Sequence, residues 1–170
     1  MISDAPCFCD YQELDKLFPH SKFVYLERDL SLWLPSMQML INKMKTHLAP
    51  ITGTFHPVLK RSFTHTFDLD KTDTPDASAH LEMCYLRHKQ QVLNYFNGRD
   101  DLIQINISHE ESLTKLLTFL GKEIEGKPQF PHLNRGRKVA CWEEHTHQNK
   151  VSANSSGPLR RKFFDYNVKR

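Results

Sequence analysis

Arg28 and Ser36 are the residues of this chain whose types and spacing most directly suggest chemistry. They belong to residues 22–36, KFVYLERDLSLWLPS. An apolar run, Phe23-Val24-Tyr25-Leu26, meets charge at Glu27-Arg28-Asp29, and Ser31 then opens an amphipathic helical pattern. A buried strand feeding a helix through a short polar turn places its last residues at the carboxyl edge of a parallel sheet. Ligands bind at that edge in α/β folds, and a helix N-terminus there attracts anions. Arg28 supplies a charge at the strand end and Ser36 a hydroxyl in the first turns of the helix. Together they suggest a phosphate clamp. The plainer alternative pairs Arg28 with Asp29 or Glu27 and leaves Ser36 to satisfy the backbone.

Other constellations carry less. Gly121-x-x-x-x-Gly126-Lys127 follows most of a phosphate-loop pattern. It comes after a helix rather than a strand, and Pro128 stands where a Mg²⁺-binding hydroxyl belongs, so a helix cap and turn explain it better. Cys7, Cys9, Cys84, Cys141, His145 and His147 do not have standard zinc spacing, and Cys84 falls on a predicted buried face. No metal is expected. His47, His56 and His65 are each able to act as a base, but spacing selects none of them.

These groups must be positioned by strands and helices. Asp10-x-x-Glu13 resembles a capping box, with Leu14, Leu17 and Phe18 on one face and Pro19 as a stop. The strand over 22–27 is unbroken in its apolar run, as for a parallel strand covered on both faces. Trp33, Met37, Leu40, Ile41, Met44 and Leu48 then form one helical face, with Ser31 as N-cap and Pro35 in the first turn. Residues 51–73 lack a sustained period and read as a loop of functional size with room for a short helix. Thr74-Pro75 opens the next helix, whose buried stripe is Leu81, Cys84, Tyr85, His88, Val92, Tyr95 and Phe96 and whose end is Gly98. Residues 101–107 alternate as a strand. Ser108-x-x-Glu111 caps a last helix bearing Leu113, Leu116, Leu117 and Leu120, with Gly121 at its end. The order predicts an α/β fold with parallel strands, although two or three strands are few for four helices.

At 170 residues, with 39% hydrophobic and 25% charged residues, one soluble domain is expected. No run of 18 apolar residues exists, so no membrane span is predicted. The first residues lack signal-peptide character, and four cysteines make no disulfide framework, which predicts a reducing, cytoplasmic setting. Residues 132–170 hold nine Lys/Arg against three Asp/Glu, whereas residues 1–131 hold 14 basic and 17 acidic side chains. Polyanion affinity would therefore sit in the tail, where residues 148–162 are polar and rich in Ser, Asn, Gly and Pro. The tail carries no nucleic-acid-binding motif, so nucleic acid is not the expected partner.

Residues 22–36 resemble the 3′-phosphate-binding segment of sulfotransferases that use 3′-phosphoadenosine 5′-phosphosulfate (PAPS). In that family a strand ends in Arg, often Arg-Asp, and a Ser follows eight residues on; here these are Arg28-Asp29 and Ser36. Phe18-Pro19-His20-Ser21-Lys22-Phe23-Val24 is similar to the family's fP-x-sKfi entry into this strand. Val92-Leu93-Asn94-Tyr95-Phe96 through Arg99-Asp100-Asp101-Leu102 resembles its vl-x-yf-x-x-R-x-dlL step. LTKLLTFLGKEI (113–124) and then Phe130-Pro131-His132-Leu133-Asn134 resemble its w-x-x-L-c-x-FLgk-x-i…fPh-x-N block. The likeness runs from about residue 4 to 134. It implies a P-loop NTPase-like three-layer α/β sandwich with a parallel sheet over 1–134, followed by a basic extension over 135–170.

The resemblance also implies site roles. Arg28 and Ser36 would hold the cofactor's 3′-phosphate, since a planar guanidinium grips phosphate bidentately. The family's base follows an earlier strand, and at the comparable place here stands Asp4. His47, in Lys45-Thr46-His47-Leu48-Ala49-Pro50, imitates the family's His motif but lies beyond Arg28 and is held in reserve. Arg137-Lys138 and Trp142 faintly echo a C-terminal phosphate loop without its glycines. The family's N-terminal phosphosulfate loop should precede Asp4, so an N-terminally incomplete domain is expected. The implied activity is sulfuryl transfer from PAPS to a hydroxyl or amine of a small molecule or glycan. The alternatives are a non-catalytic remnant that binds adenosine 3′,5′-bisphosphate, or an interaction protein that meets an acidic partner through its basic tail.

Overall fold

The computed structural model describes residues 6–124, 126, 129 and 130. Among the described residues five helices and two strands follow in order: α1 (Cys7–Leu17), β1 (Phe23–Glu27), α2 (Leu30–Leu48), α3 (Pro57–Phe67), α4 (Ser78–Tyr95), β2 (Leu102–Asn106) and α5 (Ser112–Phe119). The two strands pair in parallel, Phe23 opposite Leu102 and Glu27 opposite Asn106. Their carboxyl ends therefore share one edge, and the turns leading into α2 and α5 both leave from it. This is a mixed α/β fold with a small parallel sheet.

The core lies between α2, α3 and α4. Met37, Ile41 and Leu48 of α2 meet Phe63 and Phe67 of α3 and Leu81 and Cys84 of α4, with Trp33, Leu40 and Met44 packed around them. The apolar stripes of α2 and α4 thus bury the residues that their 3.6-residue period selects. The stretch 51–73, expected as loop, contains α3. Its apolar period is masked because Ser62 and Thr66 also face the interior. Ser62 is accommodated there by donating its hydroxyl to the Val58 carbonyl.

Several helix starts differ from expectation. Helix α1 begins at Cys7, and Asp10 sits inside it at a kink (φ −109°, ψ 24°), its carboxylate engaged by Arg61 rather than capping. Asp29, not Ser31, is the N-cap of α2, so Pro35 falls in the second turn. Helix α4 starts at Ser78 after a turn in which the Ala77 N–H bonds the Thr74 carbonyl. Helix α5 starts at Ser112, after Glu111.

Helix α4 lies against one face of β1: Phe96 meets Phe23 at 4.7 Å and His88 stacks on Tyr25 at 6.0 Å. Helix α5 packs on β2, where Ile105 is buried. Among the described residues β1 is not covered on both faces as expected, for Val24 and Leu26 are 39% and 61% exposed. Arg99 fastens the opposite end of the sheet. It donates to Asp15 on α1 and to Asp101 before β2, and lies over the Phe96 ring. The R-x-D step near β2 is accordingly a structural tie. Gly98 and Gly121 follow α4 and α5 with φ of +75° and +65°, the left-handed conformation that ends helices. Among the described residues no helix is long and apolar enough to cross a membrane.

Candidate functional site

The turn between β1 and α2 brings Arg28 and Ser36 together. The Asp29 carbonyl accepts the first helical N–H bonds, from Leu32 and Trp33, which fixes the helix start immediately after Arg28. Two turns on, Ser36 faces back toward the strand end. Arg28 Nη1 donates to Ser36 Oγ at 3.3 Å, and Ser36 Oγ donates to the Leu32 carbonyl at 3.3 Å. The eight-residue spacing therefore makes a direct contact at the carboxyl edge of the sheet.

Two residues that sequence reasoning did not select hold this turn. Tyr85 Oη donates to the Arg28 carbonyl at 3.1 Å, and its ring packs on Trp33 at 4.8 Å. Asn106, buried at the end of β2, donates to Asp29 Oδ1 at 3.2 Å. Its own Oδ1 accepts the Ser108 N–H at 3.0 Å, and its carbonyl accepts the Ser112 hydroxyl at 2.6 Å. One side chain thus ties the two turns of the sheet edge together. Tyr85 was visible only as part of a buried stripe, and Asn106 only as a polar position of an alternating strand.

The electrostatics decide what Arg28 is available for. Glu27 is taken by Lys89 and Gln104, whose hydrogen bonds hold its carboxyl below the usual range despite partial burial. Asp29 Oδ1 accepts from Asn106. Among the described residues no carboxylate forms an ion pair with Arg28, and its side chain is exposed. The alternative in which Arg28 neutralises Glu27 or Asp29 is therefore not the arrangement found. An exposed guanidinium beside a hydroxyl and a helix start can take an anion of phosphate geometry.

The remaining candidates are spread out. Asp4, the tail and Cys141 lie outside the described residues. His47 is in the last turn of α2, roughly 25 Å along the helix from its first residue at 1.5 Å per residue. Its Nδ1 lies 2.7 Å from Thr54 Oγ1. His56 caps α3 by accepting the Val58 N–H. His65 stands 3.6 Å from Cys9 Sγ. Cys84 is fully buried, as its stripe predicts, and burial pushes its thiol pKa up. Among the described residues no three His, Cys, Asp or Glu side chains converge as metal ligands.

A cavity of about 1040 Å³ opens between α1, α3 and α4. Its walls carry two Asp–Arg pairs. Asp10, with no exposed side-chain surface, receives Arg61, while Asp68 receives Arg87 and Lys71. His88 backs the cavity and bonds the Phe8 carbonyl, so its Nε2 carries a proton. Burial holds its imidazole below the usual pKa.

A family model for the sulfotransferase domain matches residues 1–139. The chain belongs to the sulfotransferase domain family. No curated protein and no solved structure matches it. The match spans β1, the Arg28–Ser36 turn, the cavity and β2, so every feature described above lies within the sulfotransferase domain.

Proposed function

We propose that this sulfotransferase domain binds PAPS through Arg28 and Ser36 and serves transfer of its sulfuryl group to an acceptor hydroxyl or amine. The observation that carries the reading is the Arg28–Ser36 contact at 3.3 Å, on a guanidinium whose neighbouring carboxylates are engaged elsewhere. The fit to the cofactor is of the right kind. An exposed planar cation and a hydroxyl converge at a helix N-terminus, as a terminal phosphate requires. PAPS, when bound, supplies the activated sulfuryl group. Arg28 and Ser36 orient its 3′ end, and Tyr85 and Asn106 keep the turn in place.

Asp4 is the proposed base for the acceptor's proton. It lies two residues before Pro6, which is fully buried at the start of α1, and residues of that helix's first turns, Phe8, Cys9 and Asp10, line the cavity. The cavity is the proposed acceptor pocket, and α3 supplies one of its walls. The parallel β1–β2 pair with crossover helices supports the wider three-layer P-loop-type sandwich. No metal enters this scheme.

Calorimetric titration of adenosine 3′,5′-bisphosphate into the protein and into Arg28→Ala tests the clamp. Binding lost in Arg28→Ala supports it; no binding, or binding indifferent to the substitution, overturns it. Transfer from labelled PAPS to added hydroxyl and amine acceptors then separates an enzyme from a bisphosphate-binding module. Asp4→Asn should abolish transfer and leave bisphosphate binding intact.

A further inference from the structure

We propose that Cys9 is a reactive thiol, activated by His65, that captures low-molecular-weight disulfides and soft electrophiles entering the cavity between α1, α3 and α4. This inference does not depend on sulfuryl transfer.

Two observations meet at this residue. Cys9 Sγ lies 3.6 Å from His65 Nδ1, across the packing of α1 on α3. Both residues line the cavity, a space large enough to admit a reagent. Thiolate, not thiol, is the nucleophile, and a neighbouring imidazole favours thiolate.

The charged and titratable groups facing the same cavity are Asp10, Tyr11 and Glu13 on α1, Arg61 on α3, Asp68, Asp70 and Lys71 at and beyond its end, and Arg87, His88 and Tyr95 on α4. Asp10 is neutralised by Arg61, and His88 donates its proton to the Phe8 carbonyl. His65 Nδ1 lies within reach of the Cys9 proton. Cys7 serves as the comparison. It belongs to the same helix start and is similarly half-buried, yet it does not line the cavity. Cys84 is the negative control because it is fully buried.

The exchange step balances simply. The Cys9 proton passes to His65 Nδ1. The Sγ electron pair attacks one sulfur of the disulfide, so a new S–S bond forms as the old one breaks. The departing thiolate recovers the proton from the imidazolium. The product is a mixed disulfide seated in the cavity.

The test uses the whole protein and limiting iodoacetamide, with each cysteine read by peptide mass spectrometry. Tandem fragmentation separates Cys7 from Cys9. Cys9 should be alkylated about tenfold faster than Cys7 near pH 7, and its rate should titrate below the ordinary thiol value of about 8.5. His65→Gln should slow Cys9 to the rate of Cys7 and move its titration upward, leaving Cys7 unchanged. Oxidised glutathione should give a mixed disulfide on Cys9 in preference to Cys7. Equal rates for Cys7 and Cys9 in the wild-type protein overturn the proposal without any variant having to fold. A Cys9 profile unchanged in His65→Gln overturns the role of His65.

Discussion

Removing the Arg28 guanidinium tests the phosphate clamp most directly, and the structure sets the size of the effect. A hydrogen bond to a charged group contributes about 1.5–3 kcal/mol. Arg28 is exposed and its field is screened, which places the loss in Arg28→Ala near the lower half of that range. A loss of about 2 kcal/mol weakens binding of adenosine 3′,5′-bisphosphate roughly 30-fold. Arg28→Lys keeps the charge but not the planar fork, and should fall between, at about tenfold. Ser36→Ala removes one neutral donor and should cost about 1 kcal/mol, or roughly fivefold. Arg28 and Ser36 touch at 3.3 Å and would serve one anion, so the double variant should lose less than the sum. Adenosine 5′-monophosphate, which lacks the 3′-phosphate, provides the decisive comparison in calorimetry. Wild type should bind it more weakly than the bisphosphate by a factor similar to the Arg28→Ala loss, and Arg28→Ala should scarcely distinguish the two ligands. If Arg28→Ala still prefers the bisphosphate by the full wild-type factor, the 3′-phosphate is held elsewhere and the reasoning fails.

Asn106→Ala cuts the tie between the two turns and strips the Ser108 N–H of its acceptor. A stability loss of about 1–2 kcal/mol in urea melts is expected, together with weaker bisphosphate binding; an unchanged midpoint and affinity would show that the turns hold without it. Ile41 is 1% exposed at the centre of the core, so Ile41→Ala should cost about 2–5 kcal/mol, and a loss below about 1 kcal/mol would contradict that packing. Burial lowers the His88 pKa, so the unfolded chain binds this proton more readily than the folded one. The stability due to the neutral ring is full above about pH 6.5 and is lost as pH falls toward the lowered folded value. His88→Gln, which still offers an amide donor to the Phe8 carbonyl, should reduce the drop in denaturation midpoint between about pH 7 and about pH 5.5. An identical pH slope in the variant would assign that sensitivity to other groups.

Much of this domain is local, and what is local was legible. The periodic stripes of α2 and α4 name the residues that are buried, since a helix repeats its inward face every 3.6 residues whatever its neighbours. The glycines that end α4 and α5 follow from backbone freedom alone. The Arg28–Ser36 spacing is local too: eight residues carry the chain through a turn and back to the same side of one helix. The contact between Arg28 and Ser36 was therefore legible in their spacing, and both residues lie within the family match.

What sequence could not supply depends on packing between distant segments. Residues 51–73 hid α3 because Ser62 and Thr66 face the core, and a buried hydroxyl bonded to its own helix looks polar in a pattern. Asp10 reads as a helix cap until Arg61, 51 positions away, is found on its carboxylate. The exposure of Val24 and Leu26 depends on which layers cover β1, which an apolar run does not encode. Above all, the acids on either side of Arg28 have partners of their own, Lys89 and Gln104 on Glu27 and Asn106 on Asp29. Those partners lie 62 to 77 residues from Glu27 and Asp29, and the register of β1 on β2 with α4 across the sheet brings them there. The residue types at positions 28 and 36 made a phosphate clamp possible; the tertiary structure decided that the arginine is not spent on its neighbours.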